Sequence, residues 1–220
     1  MIFERVALLT GKLQEMRIFY NKTLGFDLIG EGGDYFTIQA GNTALTFTSA
    51  SDGQEPFYHF AFNVPENRFA EAKSWAVSKA PLIQENGDDE VYFASWNAHS
   101  VYFEDPSGNI VELIARHNLP CRAEHSFTVQ DIIGVSEIGI VATEVIFMVN
   151  QLNDSGLPNW RDIDKDFTLV GDEYGLMIVV KKDREWFFSN HKKAHFYPVE
   201  VTVAGGKTYK FLQQNQLLLD

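Results

Sequence analysis

The chain has 220 residues, is 45% hydrophobic, and carries a formal net charge of -12 at pH 7 with a pI near 4.9. This apolar content is enough for one large globular domain or two small ones. The acidic balance argues against a nucleic-acid partner, which would need a cationic face. The sequence has neither the run of roughly 18 apolar residues that a membrane span needs nor a signal peptide, so we expect a cytoplasmic protein without a membrane partner.

The first part of the chain alternates in a way that predicts a strand, a helix and three more strands. Residues 5–9 form an apolar strand, and residues 12–24 then carry apolar side chains at helical spacing, with Gly25 as the stop. Short strands follow at residues 26–29, 35–39 and 44–48, separated by glycine-containing turns. This is a βαβββ unit over residues 1–50.

The same order of elements then recurs, with a strand at residues 59–64 and a helix that begins at Pro65. Further strands are predicted up to residue 115, which gives a second βαβββ unit over residues 56–117. Residues 118–134 are predicted to be a linker in which Cys121, the only cysteine, excludes an intrachain disulfide. Residues 135–220 predict a third, divergent unit with strands near 135–142, 167–170, 176–180 and 197–203.

The segment of residues 102–116 is the most informative part of the chain. Asp105-Pro-Ser-Gly-Asn109 has the composition of a tight turn between two strands. On the second strand Ile110, Glu112 and Ile114 share one face, because side chains alternate along a strand. A carboxylate between two isoleucines indicates either a polar cavity or an ordinary solvated sheet surface, and the pattern alone leaves both open.

Two motifs together resemble the vicinal oxygen chelate superfamily, which includes glyoxalase I, fosfomycin-resistance transferases, bleomycin-binding proteins and extradiol dioxygenases. They are Phe-Tyr-x-x-x-Leu-Gly-Phe at residues 19–26 and Tyr-Phe-x-Asp-Pro-x-Gly-Asn-x-x-Glu-Leu at residues 102–113. The resemblance covers residues 3–116. It implies an α+β fold in which repeated βαβββ modules form cupped mixed sheets with helices outside, and in which the first two modules pair around one cavity.

The resemblance also implies where metal ligands would lie, at Arg5, Thr46, His59 and Glu112. His59 and Glu112 are natural ligands for a divalent ion such as Zn, Mn, Ni or Fe, and Glu112 is also the candidate catalytic residue. Arg5 stands where a histidine is usual, and a guanidinium repels cations. Catalytic sites normally use at least three protein ligands, so this set is incomplete for a metal. Glu137 occupies the corresponding first-strand position of the third unit, but no partner for it can be placed.

Alternation along the strand before the turn adds Trp96, Ser100 and Tyr102 to the cavity, and the candidate ligand-binding residues are these three with Arg5 and Thr46.

Two classes of function stay open for a small-molecule ligand. In the first, His59 and Glu112 hold a metal and the protein is a glyoxalase-like lyase or a ring-cleaving dioxygenase. In the second, it binds a small aromatic or anionic molecule without metal. A third ligand supplied by the third unit or by a dimer mate would favour the enzyme. A homodimer is expected, since an unpaired third unit would leave an open sheet edge.

Overall fold

The computed structural model describes residues 1–213 and 215–220; Gln214, which falls inside the predicted third unit, lies outside the described residues. The first unit contains β1 (Phe3–Thr10), α1 (Leu13–Ile18), β2 (Asp27–Glu31), β3 (Tyr35–Ala40) and β4 (Thr43–Ser49). The second contains β5 (His59–Asn63), α2 (Phe69–Val77), β6 (Val91–Phe93), β7 (Ala98–Glu104) and β8 (Ile110–Arg116). The rest comprises β9 (Gly134–Ala142), α3 (Val145–Asp154), β10 (Phe167–Asp172), β11 (Gly175–Lys181), β12 (Val199–Val203), β13 (Thr208–Gln213) and β14 (Gln216–Leu219).

Within the described ranges these strands form two mixed sheets of seven strands each. The first sheet has the order β14-β13-β12-β1-β4-β3-β2, and the second has the order β10-β11-β9-β5-β8-β7-β6. In the first two predicted units the first strand runs parallel to the last, as β1 does to β4 and β5 does to β8. The predicted fold class, cupped mixed sheets built from repeated βαβββ modules, is confirmed.

The grouping of the units differs from the expectation that the first two share one cavity. The second unit pairs instead with the third, through antiparallel β5 and β9, while β1 of the first unit pairs with β12. The third unit therefore adds only the strands β9, β10 and β11 to the second sheet, and its β12 belongs to the first sheet. The sequence shows strand periods but not strand partners, because pairing depends on contacts distant along the chain.

The main core lies between the two sheets and includes the apolar faces of all three named helices. Phe47 on β4 contacts Phe60 on β5, and Phe26 contacts Phe62, so aromatic pairs join the sheets. None of the described helices has both the length and the apolar character that crossing a membrane requires.

The first predicted helix is present but changes its winding. After α1 the chain continues as a π-helical turn over Phe19–Leu24, and Gly25 ends it with a φ of 92°. A left-handed φ of this kind is accessible to glycine without the Cβ clash that other residues meet.

The turn at Asp105 holds the strand that carries Glu112 in place. Asp105 accepts hydrogen bonds from the backbone N–H groups of Ser107 and Asn109, each at 3.0 Å, from the Asn109 side chain at 2.7 Å, and from the Tyr20 hydroxyl at 2.8 Å. Burial is the largest influence on this carboxyl and raises its pKa to about 6, although the hydrogen bonds act in the opposite direction.

This raised pKa predicts the pH dependence of an Asp105→Asn variant. Because the folded-state pKa lies above the unfolded one, the stability contributed by proton binding is present below about pH 4 and is lost as the pH rises through about 6. The stability advantage of the natural protein over the variant should therefore shrink by about 2 kcal/mol between about pH 4.5 and 7.5. Urea unfolding of both proteins across this range measures the difference, and a pH-independent difference would contradict the prediction.

Candidate metal site

Three ionisable side chains from three adjacent strands of the second sheet converge in its interior. They are His59 on β5, Glu112 on β8 and Glu137 on β9, all buried, with one ligand atom from each within 4.8 Å of the others. His59 Nε2 lies 3.6 Å from Glu112 Oε2 and 3.8 Å from Glu137 Oε2. Bonds of about 2.1 Å to a tetrahedral cation would put donor atoms about 3.4 Å apart, so small movements would complete a site.

Strand register explains this convergence. Ala61 on the central strand β5 faces Glu112 on one side and Glu137 on the other. Its methyl group leaves room for both carboxylates, and His59 lies two residues earlier on the same face. The alternate residues Phe60 and Phe62 point into the main core, so the apolar pattern of β5 fixes which face carries the triad.

The histidine is oriented as a ligand would be. His59 Nδ1 lies 3.2 Å from the carbonyl oxygen of Ile110. Since a carbonyl can only accept, Nδ1 carries the proton, and Nε2 is the atom that faces the carboxylates. Metal-binding histidines are usually held by such a bond from the other ring nitrogen.

Arg116, at the end of β8, orients the third residue of the triad. Its guanidinium donates from Nη2 to Glu137 Oε1, which leaves Oε2 facing His59. The arginine is fully buried, with Trp96 and Trp160 over the guanidinium at 5.5 and 5.9 Å. A buried carboxylate with a buried cation on one side can present its other oxygen in a fixed direction.

The charges of the triad influence one another strongly. Burial, and next the charge of Glu137, raise the pKa of Glu112 to about 7, against the opposing influence of His59. Burial lowers the pKa of His59, but the adjacent carboxylates of Glu137 and Glu112 outweigh it and raise that pKa above its usual value. Glu112 Oε1 is buried without a hydrogen-bond partner among the described residues. A buried oxygen of this kind fits a ligand to a cation.

A family model described as the Glyoxalase/Bleomycin resistance protein/Dioxygenase superfamily matches residues 2–113, just over half of the chain. The chain belongs to this superfamily. The resemblance inferred from the two sequence motifs is thereby confirmed.

Two solved structures have folds similar to that of this chain. A proposed dioxygenase from Bacillus subtilis subsp. subtilis str. 168 has a TM-score of 0.58 and 19% identity, over 82% of this chain and 63% of that one. Glyoxalase I from Zea mays has a TM-score of 0.53 and 14% identity, over 82% of this chain and 66% of that one. The chain thus spans about two thirds of the length of either structure. No curated protein matches the chain.

The structure brings together only some of the residues that the sequence assigned to a superfamily site. His59, Glu112, Trp96 and Tyr102 line one cavity of about 280 Å³. Ser100 is buried on β7 between Ala98 and Tyr102, and its hydroxyl has no partner among the described residues. Arg5 and Thr46 lie on the first sheet instead, in a different pocket, because β1 pairs with β12 and not with the second unit.

Sequence reasoning placed Glu137 at a ligand position but found no partner for it, and it did not find Arg116 or Trp186. The available signal for Glu137 was the one used for Glu112, a single carboxylate within an apolar strand. The sequence did not show that β5 pairs with β9, and this pairing is what brings Glu137 next to His59 and Glu112. By register, Ile178 on β11 occupies in the third unit the position of Glu112 in the second, and it also lines the cavity.

A segment of residues 182–198 between β11 and β12, here called the strap, covers the triad. Its Trp186 ring lies 5.2 Å from the His59 ring. The strap is anchored by Lys192, whose Nζ lies 2.7 Å from Glu104 Oε2 and donates to the Gly108 carbonyl at 2.7 Å. The strap also contributes Phe187 and Arg184 to the lining. The walls outside the strap are mainly aromatic and include Phe93, Trp96, Tyr102 and Phe167. The triad therefore lies at the base of an apolar cavity sized for a small molecule.

A Gly139→Ala variant tests the position of the strap. A Cβ at Gly139 would lie 2.6 Å from Trp186 Cη2, so the indole must move away from His59. We expect a loss of about 1–3 kcal/mol in the free energy of unfolding and easier quenching of tryptophan fluorescence by acrylamide. Gly33→Ala is the matched control, because a Cβ there meets no described atom within 4 Å. Equal stability and equal quenching in the two variants would contradict this placement of Trp186.

Proposed function

We propose that the protein is a metal-dependent enzyme that acts on a small molecule in the cavity of the second sheet. The observation that carries the proposal is the convergence of Glu137 with His59 and Glu112, which raises the ligand set from two protein donors to three. An imidazole and two carboxylates suit Mn, Fe, Zn or Ni. A divalent cation held there would polarise neighbouring oxygens of a bound substrate.

The donor set favours a glyoxalase-like proton transfer over ring cleavage. Non-haem iron oxygenases typically use two histidines and one carboxylate, whereas this triad has the opposite composition. Glu112 directs Oε2 toward His59, and its Oε1 has no described partner. One oxygen can therefore hold the cation while the other accepts a substrate proton, in agreement with the catalytic role predicted for Glu112.

Tyr102 would orient the substrate. It pairs with Glu112 across β7 and β8, and burial, followed by the charge of Glu112, raises the pKa of its hydroxyl. The hydroxyl therefore stays protonated and can donate a hydrogen bond to a substrate oxygen. The strap and the aromatic walls exclude water and favour a flat, apolar substrate body.

A second candidate function is binding of a small molecule without metal. Arg116 already pairs with Glu137, and burial raises the pKa of Glu112 to about 7. Without a cation, the charge of Arg116 balances that of Glu137, and a proton can neutralise Glu112.

Metal titration of the purified, chelator-treated protein separates the two functions. We expect one Mn, Fe, Zn or Ni ion per chain, with affinity lowered at least about a hundredfold in His59→Ala, Glu112→Gln and Glu137→Gln. Glu31→Gln, at an exposed carboxylate on β2, is the control and should bind as the natural protein does. Binding that is no tighter than in the triad variants would reject the enzyme and leave the metal-free function.

A second experiment tests the proton transfer directly. The metal-loaded protein is incubated in D₂O with 2-hydroxyacetophenone, and NMR follows the replacement by deuterium of the protons next to the carbonyl group.

Metal affinity should also depend on pH. The cation must displace the proton from Glu112, whose pKa is about 7, and also the proton from His59, whose pKa is raised above its usual value. The affinity should therefore rise with pH until both groups are deprotonated and then level off. Calorimetry at about pH 6 in buffers of different ionisation enthalpy should detect about one proton released per ion bound, counting Glu112 alone. Binding without proton release at this pH would contradict the raised pKa.

The homodimer and the cytoplasmic location expected from the sequence stay predictions, and sedimentation of the purified protein would test the first.

A further inference from the structure

The face of the first sheet that points away from the main core carries a second pocket, of about 300 Å³, which we call the first-sheet pocket. It is separate from the metal site, which belongs to the other sheet. In contrast to the aromatic cavity there, its walls are polar and charged. The side chains on which the inference depends are Arg5, Thr46, Glu200, Thr202, Lys210 and Asp220.

Strand register makes this pocket the counterpart of the metal site. Ala61 lies between Glu112 and Glu137, and Ala7 in the first sheet lies in the same way between Thr46 on β4 and Glu200 on β12. Arg5 precedes Ala7 by two residues, as His59 precedes Ala61. The two sheets thus present the same three positions, with arginine, threonine and glutamate in one and histidine and two glutamates in the other.

The residues at these positions do not fit a metal. A guanidinium cannot lose its proton in a protein, and a threonine hydroxyl is a poor ligand beside a single carboxylate. A guanidinium is well suited to hold a carboxylate through two parallel hydrogen bonds. The ligand of the first-sheet pocket should therefore contain an anionic group.

The other charges in the pocket narrow the class of ligand. Lys210 forms an ion pair with Asp220, whereas Arg5 forms no ion pair with any described residue. Arg5 pairs with Thr202, two residues from Glu200 on β12, and such diagonal neighbours have Cβ atoms about 7 Å apart. Glu200 would repel a doubly charged anion, but it can accept a hydrogen bond from a donor group on the ligand. Arg5 and Glu200 together offer one site for a carboxylate and one for a donor.

We propose that the first-sheet pocket binds a small carboxylate that carries a neighbouring hydrogen-bond donor, the chemistry shared by α-hydroxy acids and α-amino acids. The carboxylate lies on Arg5 with the Thr46 hydroxyl beside it, and the donor group faces Glu200. This site does not depend on the metal site.

Calorimetric titration with glycolate, glycine, acetate and inorganic phosphate tests the site, in the presence of a chelator so that metal binding cannot contribute. We expect saturable binding of glycolate or glycine with one site per chain, and at least about tenfold weaker binding of acetate and phosphate. Arg5→Gln should lower the affinity for the preferred probe at least about tenfold. Arg17→Gln is the matched control, since Arg17 is a partly exposed arginine outside the pocket that lies on α1 and pairs with Glu31.

Glu200→Gln separates the two kinds of ligand. It should weaken glycine more than glycolate, because an ammonium group gains more from the carboxylate than a hydroxyl does. Three results would each overturn the proposal: absence of saturable binding of any probe, unchanged affinity in Arg5→Gln, or tighter binding of phosphate than of both acids. Arg5 is exposed on the sheet surface, so its replacement should leave folding intact, and circular dichroism of each variant checks this.

Discussion

The arrangement of the second sheet depends on the burial of two carboxylates next to each other. Glu112 and Glu137 flank Ala61 in a buried region of the sheet, and two such charges are strongly unfavourable there without compensation. The compensation comes from His59 between them, from Arg116 behind Glu137, and from the raised pKa of Glu112, which favours its uncharged form. A core of similar size made only of aliphatic side chains would fold as well or better. Binding of a ligand therefore explains the presence of these charged residues better than a contribution to stability does.

The pairing of strands decides what each residue can do. β5 and β9 meet in antiparallel register, so first-strand residues of two different units reach one point. The same pairing of β1 with β12 takes Arg5 and Thr46 to the other sheet and gives them Glu200 as a neighbour. Each sheet thus carries a pocket at the equivalent place. The pocket of the second sheet is aromatic and acidic, and the pocket of the first sheet is polar with charges of both signs.

The sequence predicted the elements from local patterns, and two of the three triad residues from such patterns together with the superfamily resemblance. Alternation along β8 put Glu112 on a face with Ile110 and Ile114, and both isoleucines are buried on that side. The superfamily resemblance placed His59 at a ligand position on the first strand of the second unit. Neither pattern contains the information that the second unit pairs with the third, since the backbone N–H and C=O groups at the edge of a strand can pair with either neighbour. Trp186 was missed for a related reason: its place over His59 depends on the missing side chain of Gly139, distant in sequence.

Because the triad draws one residue from the third unit and two from the second, it exists only when both are folded and docked. A bound cation would cross-link the second and third units, which could otherwise separate where β5 pairs with β9. Removing the cation should then lower the local stability of the third unit, which would become the first part of the chain to unfold. Hydrogen exchange in β9 and β11 would therefore become faster before exchange in β7 or β8 does.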